Sequence, residues 1–298
     1  MRSVFHWNLG SRSLELGRRT LIMGVVNVTP DSFSDGGQFL EPEKALARAE
    51  QLLSEGADII DVGGESTRPG AATAGEAKSD PAVLEEEELR RVVPVIRDLK
   101  RRKPDAIVSI DTYKSGVARA AVEVGAEIVN DISGFRWDPK MAKLLAELKV
   151  GAVLMHARGR PEEWRSLPPI GDPILLVKRE LRQFAEAATL AGVKRDHLAL
   201  DPGFGFGKRF EENYPLLAHF ADLQQLGYPL LAGTSRKSFL GRTLGKDSID
   251  APVEERLYGT LASETTLILK GAHVIRTHDV RAAAQAARIA DAIVASGG

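Results

Sequence analysis

The sequence predicts a closed α/β barrel of eight parallel strands, each followed by a helix, entered through a short N-terminal β-hairpin. Two features carry this. Apolar, β-branched runs recur at 21–27, 58–63, 106–111, 127–131, 151–155, 198–201, 229–233 and 273–276. Each is followed by a segment with helical spacing, at 43–55, 84–102, 115–124, 139–148, 174–191, 211–226, 253–270 and 280–294. Strands that read as continuous apolar runs are buried on both faces, as in a parallel sheet under helices. Eight such alternations in one chain favour closure into a (β/α)8 TIM barrel over an open doubly wound sheet.

Taken in order, residues 1–20 alternate polar and apolar on either side of Gly10, the pattern of a hairpin that plugs the barrel floor. No Pro/Gly/Ser linker and no short repeat divides the chain, so residues 1–298 read as one domain. A net charge of −1 gives no basic field for nucleic acid, and no apolar run reaches membrane-spanning length. With zero cysteines, disulfides, thiolate metal sites and thiol nucleophiles are excluded together. The N-terminal stretch lacks a secretory core, so the cytoplasm is the expected location.

Polar residues gather where the strands end: Asn27, Asp61, Asp111, Asn130 and Asp131, His156 and Arg158, Asp201, Ser235 to Lys237, and Arg276 with His278. In such barrels the C-terminal rim is where active sites are built. Several chemistries fail on spacing. Gly203, Gly205 and Gly207 do not form GxGxxG, and the stretch from Gly241 to Lys246 is one residue short of a P-loop. No HExxH pair or other close histidine pair occurs among the six histidines, and Gly233-Thr-Ser235 is not a nucleophile elbow. A binding surface remains. Asp111, Asn130 and Asp201 offer acceptors suited to a flat heterocycle with adjacent N–H donors. Arg276, His278, Arg68 and Lys237 form a cationic set, and His278 lies just before the last helix, a natural place for phosphate. The loops at 29–37 and 65–70 mix hinges with charged and hydroxyl groups, as active-site lids do.

These residues fall in eight stretches: MGVVNVTPDSFSDGG at 23–37, DVGGESTRPGA at 61–71, SIDTYK at 109–114, VNDISG at 129–134, MH at 155–156, DPGFGFGK at 201–208, GTSRKSF at 233–239 and RTHDV at 276–280. In order and in content they resemble the dihydropteroate synthase family, whose fold is a (β/α)8 barrel. The resemblance implies condensation of 6-hydroxymethyl-7,8-dihydropterin pyrophosphate with p-aminobenzoate to give 7,8-dihydropteroate and pyrophosphate. It implies that Asp111, Asn130, Asp201 and Lys237 hold the pterin, with Arg276 over its face and Met155 lining the pocket. Asn27, Thr67, Arg276 and His278 are implied to hold the pyrophosphate, with Asn27 reaching Mg2+ and Asp31 ordering that metal or the developing cation. For p-aminobenzoate the implied contacts are Phe33, Arg68, Pro69, Phe206 and Ser238. Asp31, Arg68, Lys237, Arg276 and His278 are then the catalytic set, sulfonamides are inhibitors, and a homodimer is expected.

Two departures stand out. Between Gly70 and Val83 the chain is longer than the family's usual link, and Ala157 follows Met155-His156 where a second methionine is common. A methyltetrahydrofolate-dependent corrinoid methyltransferase, or a non-catalytic pterin-binding barrel, are the alternative readings.

Overall fold

A computed structural model describes residues 2–29, 40–65 and 83–297. The barrel is built from β3 (Leu21–Asn27), β4 (Ile59–Gly63), β5 (Ile107–Asp111), β6 (Ile128–Asp131), β7 (Gly151–Met155), β8 (Leu198–Asp201), β9 (Leu231–Ala232) and β10 (Val274–Thr277). Their hydrogen-bonded order is β8-β7-β6-β5-β4-β3-β10-β9, with every neighbouring pair parallel. A parallel bridge between Leu200 and Leu230 joins the two ends and closes the ring.

Helices α1 (Leu40–Glu55), α2 (Glu85–Arg102), α3 (Ser115–Glu123), α4 (Met141–Leu148), α5 (Pro173–Leu190), α6 (Asn213–Ala218), α7 (Ser238–Leu244), α8 (Leu257–Leu269) and α9 (Val280–Ser296) follow. Two of them show their end signals plainly. In α2, Glu85 to Glu88 occupy the first turn and Lys100, Arg101 and Arg102 the last, each complementing the helix dipole. Asp172 caps α5 by accepting the Leu175 N–H at 3.0 Å, and Pro173 sits where its missing N–H costs nothing. The segment predicted as one helix over 211–226 is instead α6 and a 3-10 turn, Phe220–Leu226, meeting at His219. The strand expected over 229–233 shortens to Leu231–Ala232. No helix among the described residues is long and apolar enough to cross a membrane.

The two-residue alternation of side chains sorts the strands into layers. Ile60 and Val62 face outward and join Val108, Ile110, Val129, Leu154 and Leu200 in the shell under the helices. Ile59 faces inward with Met23, Ile128, Val153, Ala199, Leu231 and Val274. Into this inner layer the hairpin of β1 (Phe5–Asn8) and β2 (Ser13–Leu16) delivers Trp7, Leu9 and Leu16. Trp7 is fully buried, and its Nε1 donates to the His197 carbonyl at 2.8 Å. Leu9 packs so close to Gly151 that a Cβ there would lie 2.4 Å from Leu9 Cδ2. The floor is therefore a greasy plug, as the alternation over residues 1–20 predicts. One step up, the inward positions turn polar on five of the strands, with Asp61, Ser109, Asn130, Asp201 and Arg276.

Candidate active site

In the same inward phase as Ile59 comes Asp61, as Ile128 is followed by Asn130, Ala199 by Asp201 and Val274 by Arg276. The cross-strand register places Gly63 beside Asp111 and Asp111 beside Asn130, while Met155 pairs with Asp201. Arg276 ties this floor together. Its Nε donates to Asp61 Oδ2 at 2.6 Å and its Nη2 to Asp111 Oδ2 at 2.6 Å, while Asn130 Nδ2 donates to Asp61 at 3.1 Å. Asp201 takes the Gly203 N–H on Oδ1 at 2.7 Å, which the turn at Gly203, with φ +64°, makes possible. The three acceptors named from sequence thus converge in one cavity with the arginine among them.

Crowding acids in a buried space shifts their protonation. Burial, then the proximity of Asp61, Glu88 and Asp131, pushes the Asp111 carboxyl up to about 7 even with Arg276 opposing. Burial raises Asp201 to about 6, held back by the Gly203 hydrogen bond and by Lys237, Arg276 and Lys208. Arg276 remains charged: burial works against it, but Asp61, Asp111 and Asp201 more than offset this and raise its pKa. Lys237 is lowered to about 8 by burial and by Arg276. Its Nζ lies 3.9 Å from the centre of the Phe206 ring, a cation–π contact that seats the ammonium under an aromatic lid.

Phe204 and Phe206 divide as alternation requires. Phe204 is buried among Phe220 and Phe239, whereas Phe206 packs with Met155, Tyr113, Ile132 and Trp137 along the cavity wall. The wall around Met155 also contains Ala157, the position of the sequence departure, in the same cluster as Tyr113, Trp137 and Phe206.

On the rim, His278 faces Ser235. Ser235 Oγ accepts the His278 backbone N–H at 3.1 Å and lies 3.0 Å from His278 Nδ1. In the tautomer in which this hydroxyl donates to Nδ1, His278 keeps Nε2–H as a free donor. His278 was expected among the cations. Burial, then Arg276 and Arg236, lowers its pKa to about 3, so it stands there as a neutral donor. Asn27 ends β3 with its side chain exposed on the same rim, and Ser238 opens α7. Asp31, Phe33, Thr67, Arg68 and Pro69 lie outside the described residues.

Three further groups belong to the site's framework. Asp61 is fully buried, and its Oδ1 finds no partner. Lys208 donates to the carbonyls of His156, Gly203 and Phe206 at 3.2, 2.7 and 3.3 Å, pinning the loop that carries Phe206. Lys114 bonds Glu65 and, at 2.5 Å, Glu88, while Tyr113 donates to Glu65 at 3.1 Å, fixing the root of the second loop. His156 points away from the cavity, bonding Glu180 through Nε2 at 3.0 Å. These partners are visible only once strand phase and loop path are known, although the Asp61 signal lay in its two-residue spacing from Ile59.

A blind barrel mouth with a carboxylate floor braced by Arg276, aromatic walls, the Lys237 ammonium and a neutral His278 at the rim defines a binding enzyme for a donor-rich heterocycle carrying an anion. Residues 23–278 match the family of pterin binding enzymes. Dihydropteroate synthase from Clostridium beijerinckii is 44% identical over 287 residues, spanning 96% of this chain and 98% of that one. The Bacillus subtilis enzyme is 43% identical over 286 residues, spanning 96% and 93%. Among solved structures, Xanthomonas albilineans dihydropteroate synthase with 4-aminobenzoic acid superposes with a TM-score of 0.87 at 41% identity, covering 98% of this chain and 99% of that one. The Yersinia pestis enzyme in a sulfonamide drug complex gives 0.84 at 40% identity, covering 95% and 97%. The chain belongs to the pterin binding enzyme family. Within it, its branch is the dihydropteroate synthases.

Proposed function

We propose that this protein joins 6-hydroxymethyl-7,8-dihydropterin pyrophosphate to p-aminobenzoate, releasing 7,8-dihydropteroate and pyrophosphate. The observation that carries the reading is the acid–amide floor of Asp61, Asp111, Asn130 and Asp201, braced by Arg276, with Lys237 beside it and His278 at the rim. Adjacent ring N–H and amino donors meet Asp201 and Asp111 in forked, charge-assisted bonds, and Asn130 supplies an amide acceptor. Consistent with this, Asn130 Oδ1 is buried and unpartnered. Lys237 lies beside Asp201, and Met155 lines the wall. Arg276 leaves Asp111 as the ring enters and covers its face.

The bond from the pterin methylene to pyrophosphate oxygen breaks, and the neutral aniline nitrogen of p-aminobenzoate forms a bond to that carbon and loses a proton. His278 Nε2–H, Asn27, Thr67 and Arg276 receive the leaving anion. Mg2+, when bound, supplies neutralisation of pyrophosphate charge. The donors suit that ion: Asn27 presents an exposed amide oxygen, and Mg2+ is held by few protein oxygens plus substrate phosphates. Asp31 adds a carboxylate to this set. Phe206, Phe33, Arg68, Pro69 and the Ser238 end of α7 enclose p-aminobenzoate. Orientation and exclusion of water do most of the work.

We infer a homodimer from α8 and α9, packed on each other, which leave Tyr258, Leu269, Ile289 and Ile293 exposed at 81, 46, 66 and 51%. The cytoplasm is the proposed location, since a pyrophosphate ester is too charged to cross a bilayer from elsewhere. Incubation with the pterin pyrophosphate, Mg2+ and p-aminobenzoate is expected to yield dihydropteroate and pyrophosphate in equal amounts. No product, from protein that still binds pterin, refutes the reading.

A further inference from the structure

Arg236 sits between Ser235 and Lys237, yet its side chain contributes nothing to the cavity floor. Its backbone is the anomaly: φ is +58°, the left-handed region that an arginine avoids. Such a conformation persists only where neighbours over-determine it. Four bonds do so here. The Arg236 N–H donates to Thr260 Oγ1 at 3.0 Å, and its carbonyl accepts from Arg256 Nη1 at 3.0 Å. Its guanidinium forms a bidentate pair with Asp279, Nε to Oδ2 at 2.9 Å and Nη2 to Oδ1 at 2.5 Å.

The consequence lies in what flanks each partner. The reversal at Arg236 sends Ser235 towards His278 and Lys237 into the cavity under Phe206. Asp279 directly follows His278 and precedes α9. The ion pair therefore runs parallel to the Ser235–His278 contacts and bolts the loop after β9 to the loop after β10. We propose that Arg236 and Asp279 form a positioning clamp that sets the relative placement of Lys237 and His278, and so the alignment of pterin with its pyrophosphate. This deepens the two-substrate reading and rests on it.

The clamp and a merely structural ion pair differ in how stability and activity respond. Glycine accepts the left-handed region freely, so Arg236→Gly relieves backbone strain while it removes the bolt. Arg236→Lys keeps the strain and leaves a single-point contact in place of a planar fork. Thermal unfolding and steady-state kinetics of both variants, with calorimetric binding of inorganic pyrophosphate, make the comparison. The expected order of melting temperature is Gly at or above Lys. For kcat/KM on the pterin pyrophosphate and for pyrophosphate affinity the order reverses, parent over Lys over Gly, with Arg236→Gly down on the order of 10- to 100-fold. The KM for p-aminobenzoate should move less. Asp279→Asn, which keeps the side-chain shape, should match Arg236→Gly, and the double variant should lose no more than either alone.

Pyrophosphate affinity unchanged in Arg236→Gly overturns the clamp, as do losses that multiply in the double variant. If Arg236→Gly does not fold, the Asp279→Asn result decides in the same way. A parent protein that binds inorganic pyrophosphate but forms no dihydropteroate sinks the functional reading alone, since the clamp is still judged on binding.

Discussion

Replacing Asp201 by Asn tests the floor of the site, because it should move binding and stability in opposite directions. Asn keeps an oxygen for the Gly203 N–H, which Asp201 accepts at 2.7 Å, but brings no charge to the pterin donors. Hydrogen bonds to a charged partner contribute about 1.5–3 kcal/mol, so pterin affinity should fall roughly 10- to 100-fold. The Asp201 carboxyl is raised from 3.8 to about 6 by burial. Around pH 5 only about a tenth of it is ionised, so its ionisation alone should weaken the parent's pterin binding about tenfold there relative to pH 8. Asp111, pushed up to about 7, adds a second limb to that profile, and Asn at 201 should remove only the lower one.

Stability runs the other way. Unfolded, Asp201 gives up its proton near 3.8; folded, it holds on to about 6. The folded state binds more protons in that window, so stability falls as pH rises through it and stays lower above. A shift of about two units corresponds to roughly 3 kcal/mol. The unliganded Asp201→Asn protein should therefore gain up to about 3 kcal/mol near pH 8 and nothing below about pH 4. Calorimetric pterin titrations and thermal melts across pH read both effects. Unchanged pterin affinity with an intact lower limb would refute the assignment of Asp201 to the ring.

Other outcomes follow from the same geometry. His278→Ala should weaken inorganic pyrophosphate roughly 10- to 100-fold while leaving pterin affinity alone; equal losses for both ligands count against a separate anion pocket. Trp7→Ala empties the centre of the barrel floor and should cost about 3–5 kcal/mol in urea unfolding. A loss below about 1 kcal/mol means that the hairpin does not seal the lumen. Sulfonamides should compete with p-aminobenzoate in the presence of pyrophosphate, and non-competitive inhibition argues against Phe206 and Ser238 as the aryl site.

The barrel was legible because buried parallel strands must be apolar throughout, so runs such as Leu21–Asn27 and Gly151–Met155 announce their own limits. Strand β9 is shorter than its run, and Pro229 at the start of that run has no N–H to give to a ladder. The predicted helix over 211–226 divides at His219, where α6 ends and the 3-10 turn begins. Within the site, Asp111, Asn130 and Asp201 were readable as strand-end acceptors, and the structure adds that they share an inward phase. Asp61 was read as a strand end and given no role, because only closure of the ring brings it to Arg276 across 215 positions of sequence. The charge on His278 was misjudged for a related reason. A histidine beside an anion site reads as a cation until its depth, and the guanidiniums of Arg276 and Arg236, are counted.

The plug formed by Trp7, Leu9 and Leu16 makes the lumen a cul-de-sac. Traffic then has an order imposed by depth: whatever rests on Asp61, Asp111, Asn130 and Asp201 has to arrive before a guest at the rim and cannot depart past it. A ring joined to its rim partner can withdraw only with that partner leading. The low-polarity stopper also has an electrical effect. It offers the floor's negative charges no screening from behind, so their field escapes through the open end, toward the side from which donor-bearing ligands approach.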